Sequence, residues 1–110
     1  MHLNEYQRMT SETAIYPLNE TTLNGVSYCV LGLAGEAGEL ANKVKKILRG
    51  DVTLSYQRAA LIDELGDCLW YAAQIARCLE YTLDEVAYFN IQKLLKRREE
   101  KKLQGDGDNR

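Results

Sequence analysis

The stretch GLAGEAGELANKVKK, Gly32–Lys46, decides how the chain is read. With the residues that follow it, Leu33, Leu40, Val44, Ile47 and Leu48 recur at helical spacing and form one apolar stripe. Glu36 and Lys43 lie along the edge of that stripe, and Glu39 lies about one step further round, instead of opposite it. A second stretch, ELGDCLWYAAQIA at Glu64–Ala76, repeats the arrangement: Glu64 flanks Leu61, Leu65 and Cys68, with Asp67 and Tyr71 on the same side. Two predicted helices each bring two carboxylates, three residues apart, to the border of the core.

Carboxylates at that spacing are neighbours on a helix surface and repel unless a cation is held between them. A short connection favours antiparallel packing, which lets EAGE and ELGD face each other around one volume. Four hard oxygen donors there suit Mg²⁺, or Mn²⁺ in its place, both of which keep waters or phosphate oxygens as further ligands. A single ExxE is ordinarily solvated surface charge; two such pairs on consecutive helices, both at the core border, carry the metal reading. Gly35, Gly38 and Gly66 each cost ~1 kcal/mol in a helix relative to alanine. Their clustering is read as clearance for a close backbone approach.

Other metal chemistries fit poorly. A ferritin-like di-iron site needs Glu-x-x-His on two helices, and the one histidine is His2, far from either pair. Zinc lacks its usual histidines and clustered cysteines. Cys29, Cys68 and Cys78 show no CxxC spacing and sit in apolar stretches, so they read as reduced, buried thiols.

Around these motifs the chain divides into four predicted helices with no strand-like alternation. The first covers about 3–16 and stops before Pro17, because the residue preceding proline is driven out of the α region. The linker LNETT follows. The second covers about 22–48, with Asn24-Gly25 a possible break and Gly50 a plausible C-terminal cap. The third starts behind the TLS of Thr53–Ser55 and covers about 55–79. The fourth has the clearest start, Thr82 with Glu85 as a capping box, and continues to about Lys101. Residues 1–104 are expected to form a single all-α domain and 105–110, GDGDNR, a flexible tail.

At 110 residues one core is all the chain can build. The third helix is apolar on most of its circumference, and four helices of this length have little to surround it with, so a homo-oligomer of at least two copies is expected. A net charge of −2 argues against binding a nucleic-acid polymer, although Lys93, Lys96, Arg97, Arg98, Lys101 and Lys102 concentrate basic charge near the end. The N-terminus MHLNEYQRM lacks an apolar signal core and no apolar run approaches the ~20 residues of a membrane span, so a cytoplasmic protein is expected.

With both motifs in place, the chain resembles the MazG-like all-α nucleoside triphosphate pyrophosphohydrolases, whose signature is ExxE and then ExxD after a couple of dozen residues. Here Glu36–Glu39 and Glu64–Asp67 are separated by the 24 residues Leu40–Asp63. NEYQ near the start, TAIYP at Thr13–Pro17, NIQKLLKR at Asn90–Arg97 and the closing GDGDNR look like elements of the small single-domain members. The resemblance implies an all-α four-helix bundle that dimerises, often further to a tetramer, and a Mg²⁺ site formed by Glu36, Glu39, Glu64 and Asp67. It also implies cleavage of a nucleoside triphosphate between the α- and β-phosphates to the monophosphate and pyrophosphate, in nucleotide-pool cleaning. Glu39 is the expected general base, with little to separate it from Glu36.

Phosphate contacts are expected from Lys43 and Lys46, which follow the first pair, and from Asn90, Lys93 and Arg97, which share one face of the fourth helix. Arg110 could fold over the nucleotide. Tyr71, one turn beyond Asp67, either contacts sugar or base or packs in the core. Lys45-Lys46 stand where some relatives hold the base with an aromatic residue, which leaves base preference open. A dUTP- or phosphoribosyl-ATP-specific enzyme of the same superfamily and an inactive helical interaction module are the alternatives; occupation of all four acidic positions argues against the latter.

Overall fold

A computed structural model describes residues 1–17 and 22–101, with Thr22 described by its backbone alone. It is all helical: α1 (Leu3–Thr10) with a 3-10 turn at Ser11–Thr13, then α2 (Thr22–Leu48), α3 (Leu54–Cys78) and α4 (Leu83–Glu99). The LNETT linker up to Thr21, and the tail with Arg110, fall outside the described residues.

Local chemistry accounts for the boundaries. Thr53 accepts from the backbone N–H of Tyr56 at 3.1 Å and so caps α3. At α4 the expected capping box is complete: Thr82 Oγ1 accepts from Glu85 N at 3.1 Å, and Thr82 N donates to Glu85 Oε1 at 2.9 Å. Gly50 ends α2 with φ +85°, a conformation open to glycine at no steric cost, and Asp51 N returns to Lys46 O at 3.0 Å. Gly25 does not break α2, which runs through it. The first helix is shorter than the sequence pattern suggests. Thr10, Ser11 and Thr13 each turn a hydroxyl back onto the carbonyl three residues earlier, at 2.6, 2.7 and 3.2 Å, and this run of side-chain bonds tightens the chain into a 3-10 turn well before Pro17.

The short turn after α2 brings α3 back against it as an antiparallel hairpin, the most extensive helix pairing in the chain. At Gly32 the Tyr71 ring lies directly on the helix backbone: a Cβ built on Gly32 would fall inside the ring's van der Waals envelope. Gly35, Gly38 and Gly66, by contrast, have nothing within 4 Å of a built Cβ. The clearance expected of those three is not used within one chain; the glycine that lets the helices meet is the one a turn earlier.

The core sits toward the C-terminal end of α3, around and beyond Tyr71. Ala14, Tyr16 and Cys29 form one buried cluster with Trp70, Tyr71 and Ile75 packed on it, and Ala73, Ala76 and Leu83 form a second with Tyr6. Trp70 is a packing residue, with its edge toward Tyr16 at 5.9 Å between ring centres and its Nε1–H donating to Thr13 Oγ1 at 2.9 Å. Buried Gln7 ties three elements together. Its Nε2 donates to Ala73 O (3.3 Å) and Tyr81 O (3.1 Å), while its Oε1 accepts from Leu83 N (3.1 Å) at the start of α4. Gln74, fully buried on α3, answers by donating to Thr10 Oγ1 at 2.6 Å.

Among the described helices α2 pairs with α3, its start also meeting Ala14 and Tyr16 through Cys29 and the stacked ring of Tyr28, while α1 reaches α3 and α4. The four helices therefore do not close into a compact bundle within one chain. The radius of gyration, 16.5 Å, exceeds the ~13 Å typical of a compact domain of this size. Large apolar side chains remain in solvent on the hairpin (Leu31, Leu48, Ile62, Leu65) and on α4 (Tyr88, Phe89, Ile91).

The two kinds of glycine should respond oppositely to alanine. Gly32→Ala must displace an aromatic ring and is expected to destabilise by about 1–3 kcal/mol less the ~1 kcal/mol gain in helix propensity. Gly35→Ala, into open space, should gain up to ~1 kcal/mol. Urea denaturation of both variants checks the contrast; equal shifts would contradict it.

Candidate metal centre

One helical turn from the Gly32–Tyr71 contact the same two helices bring their acids together. Glu36 follows Gly32 by four residues and Asp67 precedes Tyr71 by four, so the register that seats the ring also sets these carboxylates opposite each other. Glu36, Glu64 and Asp67 each place a carboxylate oxygen within 4.8 Å of the others, Glu36 and Glu64 half-buried and Asp67 exposed.

Three like charges this close repel, and the strain shows at Glu36. Burial raises its carboxyl above the usual range, and a hydrogen bond with Glu64 and the charges of Asp67, Glu64 and Glu39 raise it further. The field extends to neighbours: the Cys68 thiol is pushed up by burial and then by Glu36, Asp67 and Glu64. Tyr71 is raised first by burial and then by Tyr28, Glu36, Cys29 and Asp67, and Tyr6 by burial and then by Asp67. One cation answers directly, Lys43 Nζ, 3.8 Å from Glu64 Oε1.

The donor set fits a hard divalent cation. Three carboxylates from two rigid helices supply part of an oxygen shell and leave positions for water or phosphate oxygens, the usual manner of Mg²⁺ binding. Glu39 is exposed and stands outside the group of three, although its charge reaches Glu36.

The other expected site residues are dispersed. Lys43 is at the cluster; Lys46 is exposed in the last turn of α2. Tyr71 packs, half-buried, on Gly32 and edge-on to Trp70 at 5.1 Å, with the carboxylates on its flank. Asn90 and Lys93 line a cavity of about 390 Å³ on α4 with Tyr81, Val86 and Phe89, which holds none of the carboxylates. Arg97 is buried. Tyr6 is the neighbour that sequence reasoning missed; NEYQ lies some sixty residues from ELGD, and no periodicity within α1 signals that Tyr6 stands in the field of Asp67.

Comparison with known proteins identifies the family. The family model for the MazG nucleotide pyrophosphohydrolase domain matches residues 25–101, which contain both acidic motifs. The chain is also 47% identical over 114 residues, covering 100% of each sequence, to "Gene 37 protein" of Mycobacterium phage L5. No solved structure matches.

Because the Glu36 pKa is raised in the fold, the folded chain binds that proton more tightly than the unfolded one. Stability without divalent cation should fall as pH rises from the ordinary carboxylate range through the raised value, and stay lowered above it. Mg²⁺ or Mn²⁺ should raise the melting midpoint more at pH 7 than at pH 5, and Glu36→Gln should flatten both responses. Thermal melts across pH with and without the cation test this, and a midpoint indifferent to the metal at pH 7 would count against the centre.

Proposed function

The chain belongs to the MazG nucleotide pyrophosphohydrolase family, and from that premise we propose that it is a Mg²⁺-dependent hydrolase cleaving nucleoside triphosphates to monophosphate and pyrophosphate. The observation that carries this reading is the convergence of Glu36, Glu64 and Asp67 from two helices on one volume, within 4.8 Å. Like charges held this close favour a counter-charge, and Lys43 Nζ stands 3.8 Å from Glu64 alone of the three.

When bound there, Mg²⁺ supplies charge neutralisation of the phosphate oxygens and of the departing pyrophosphate, and acidifies a water for attack on the α-phosphorus. The chain's own residues do the rest. Glu36, Glu64 and Asp67 orient the ligand shell from helical backbone, which keeps their positions from drifting. Glu39, on the same helix but outside the trio, is assigned to accept the proton of the attacking water. Lys43 pairs with Glu64 at rest and can exchange that partner for a phosphate oxygen. Lys46, Asn90, Lys93 and Arg97 are assigned to the phosphates, and Tyr71 to the sugar or base through its exposed edge.

The apolar residues left in solvent on the hairpin and on α4 support a homo-oligomer, a dimer or a tetramer, because monomers rarely expose so many large side chains together. No described helix is long and apolar enough to cross a membrane, and we place the activity in the cytoplasm.

Incubation with a panel of standard and modified ribo- and deoxynucleoside triphosphates plus Mg²⁺ should release pyrophosphate, not orthophosphate, from at least one of them. Glu36→Gln and Asp67→Asn should each lower kcat/KM on the order of 10²-fold, whereas Lys43→Ala should act mainly on KM. No pyrophosphate from any member of the panel would overturn the assignment.

A further inference from the structure

A cleft of about 530 Å³ opens where α1, the end of α3 and the turn into α4 meet, and none of Glu36, Glu64 and Asp67 lines it. Arg8 and Ser11 line it from the first segment, Arg77 from the last turn of α3, and Glu80, Tyr81 and Thr82 from the turn. Its volume falls in the roughly 300–1,000 Å³ range of small-molecule sites, more room than a bare inorganic ion fills. The walls are held in register by buried Gln7, which also lines the cleft and bonds to Ala73 O, Tyr81 O and Leu83 N.

Two guanidiniums and one carboxylate share this cleft, in a chain whose net charge is −2. Arg77 is oriented before any ligand arrives. Its Nε donates to Oε1 of fully buried Gln74 at 3.1 Å and its Nη2 to the Tyr16 hydroxyl at 2.8 Å, so placing its planar fork costs little ordering on binding. Arg8, exposed on α1, adds a second charge on a longer tether. The hydroxyls beside them are committed elsewhere: Ser11 Oγ donates to Arg8 O at 2.7 Å and Thr82 Oγ1 to Glu85 Oε1 at 3.1 Å. Recognition of a charged ligand therefore falls to the two arginines.

We propose that this cleft binds a phosphate monoester of a hydroxyl-bearing body, a sugar phosphate or a nucleoside monophosphate, with Arg8 and Arg77 on the phosphate and Glu80 accepting from the hydroxyls. Guanidinium forks match phosphate oxygens two at a time, which selects an acceptor-only anion. Glu80 repels bare phosphate and selects for a ligand that also carries donors. Its backbone sits at φ +65°, a conformation glycine takes freely, so Glu80→Gly removes the carboxylate without opposing the fold. Tyr81 also lines the α4 cavity of Asn90 and Lys93, and substitution of Lys93 tells the two apart.

Ribose 5-phosphate, adenosine monophosphate and inorganic phosphate are titrated into the isotope-labelled full chain in EDTA, which keeps divalent cations from the carboxylates, and binding is followed by NMR. Saturable shifts of the Arg8, Ser11 and Tyr81 amides are expected with the two esters, at dissociation constants on the order of millimolar or tighter, and a weaker response with inorganic phosphate. Equal affinity for the two esters identifies phosphate and ribose as the recognised part, and tighter binding of the nucleotide gives the base a share of the cleft. Arg8→Ala should weaken ester binding about tenfold or more. Glu80→Gly should remove the preference over inorganic phosphate, and Lys43→Ala and Lys93→Ala should leave ester binding unchanged. No saturable shift with either ester, undiminished binding in Arg8→Ala, or loss in Lys43→Ala or Lys93→Ala would overturn the proposal. Because no hydrolysis is read, this failure is distinct from a failure of the pyrophosphohydrolase reading.

Discussion

The structure depends on the contact between the Tyr71 ring and the bare backbone of Gly32. Two helices with ordinary side chains between them stand apart by the width of those side chains. Removing one Cβ lets an aromatic ring occupy the gap, which fixes both the spacing and the axial register of α2 against α3. One turn away, that register forces Glu36 against Glu64 and Asp67. The acids do not assemble the site; they are carried into mutual repulsion by apolar packing next door, and a proton or a cation relieves them.

The rest of the chain anchors that hairpin at one end. Gln7 binds α1 to both α3 and the entry of α4 through three hydrogen bonds, and Gln74 returns the tie through Thr10. Such buried amides cost free energy unless every group is paired, and here no buried side-chain polar atom among the described residues is left unpaired. The polar layer therefore specifies how α1 crosses α3 more sharply than the small apolar clusters beside it could. That crossing is what brings Tyr6 from the start of the chain into the field of Asp67.

Much of this was legible beforehand. The helices at 22–48 and 54–78, the capping box at Thr82 and the stop at Gly50 follow from local signals whose chemistry is complete within a few residues. The first helix was overextended because a hydrophobic pattern does not register three hydroxyls turning back on their own backbone. In the acidic pairs, spacing told which residues flank the core, and the structure joins three of the four. Glu39 stands apart because at 100° per residue it lies further round α2 than Glu36, a difference visible on the wheel but without a distance attached. Within one chain it is Gly32, and not Gly35, Gly38 or Gly66, whose missing side chain is filled from the other helix, because composition marks where side chains are absent, not which absence a neighbour fills.

By itself the sequence determined an all-helical chain, its breaks, and the two acidic motifs, because periodicity, capping and turn chemistry act over one or two turns. Tertiary structure alone decided which carboxylates converge, that Lys43 answers Glu64, that Asn90 and Lys93 line a cavity apart from the acids, and that Cys78 lies against the hydroxyl of Tyr16. The carboxylate cluster and the Lys43–Glu64 pair each join residues from different helices. Their distances are set by how deeply side chains such as Tyr71 interlock, which is a property of the packed pair and of neither helix alone.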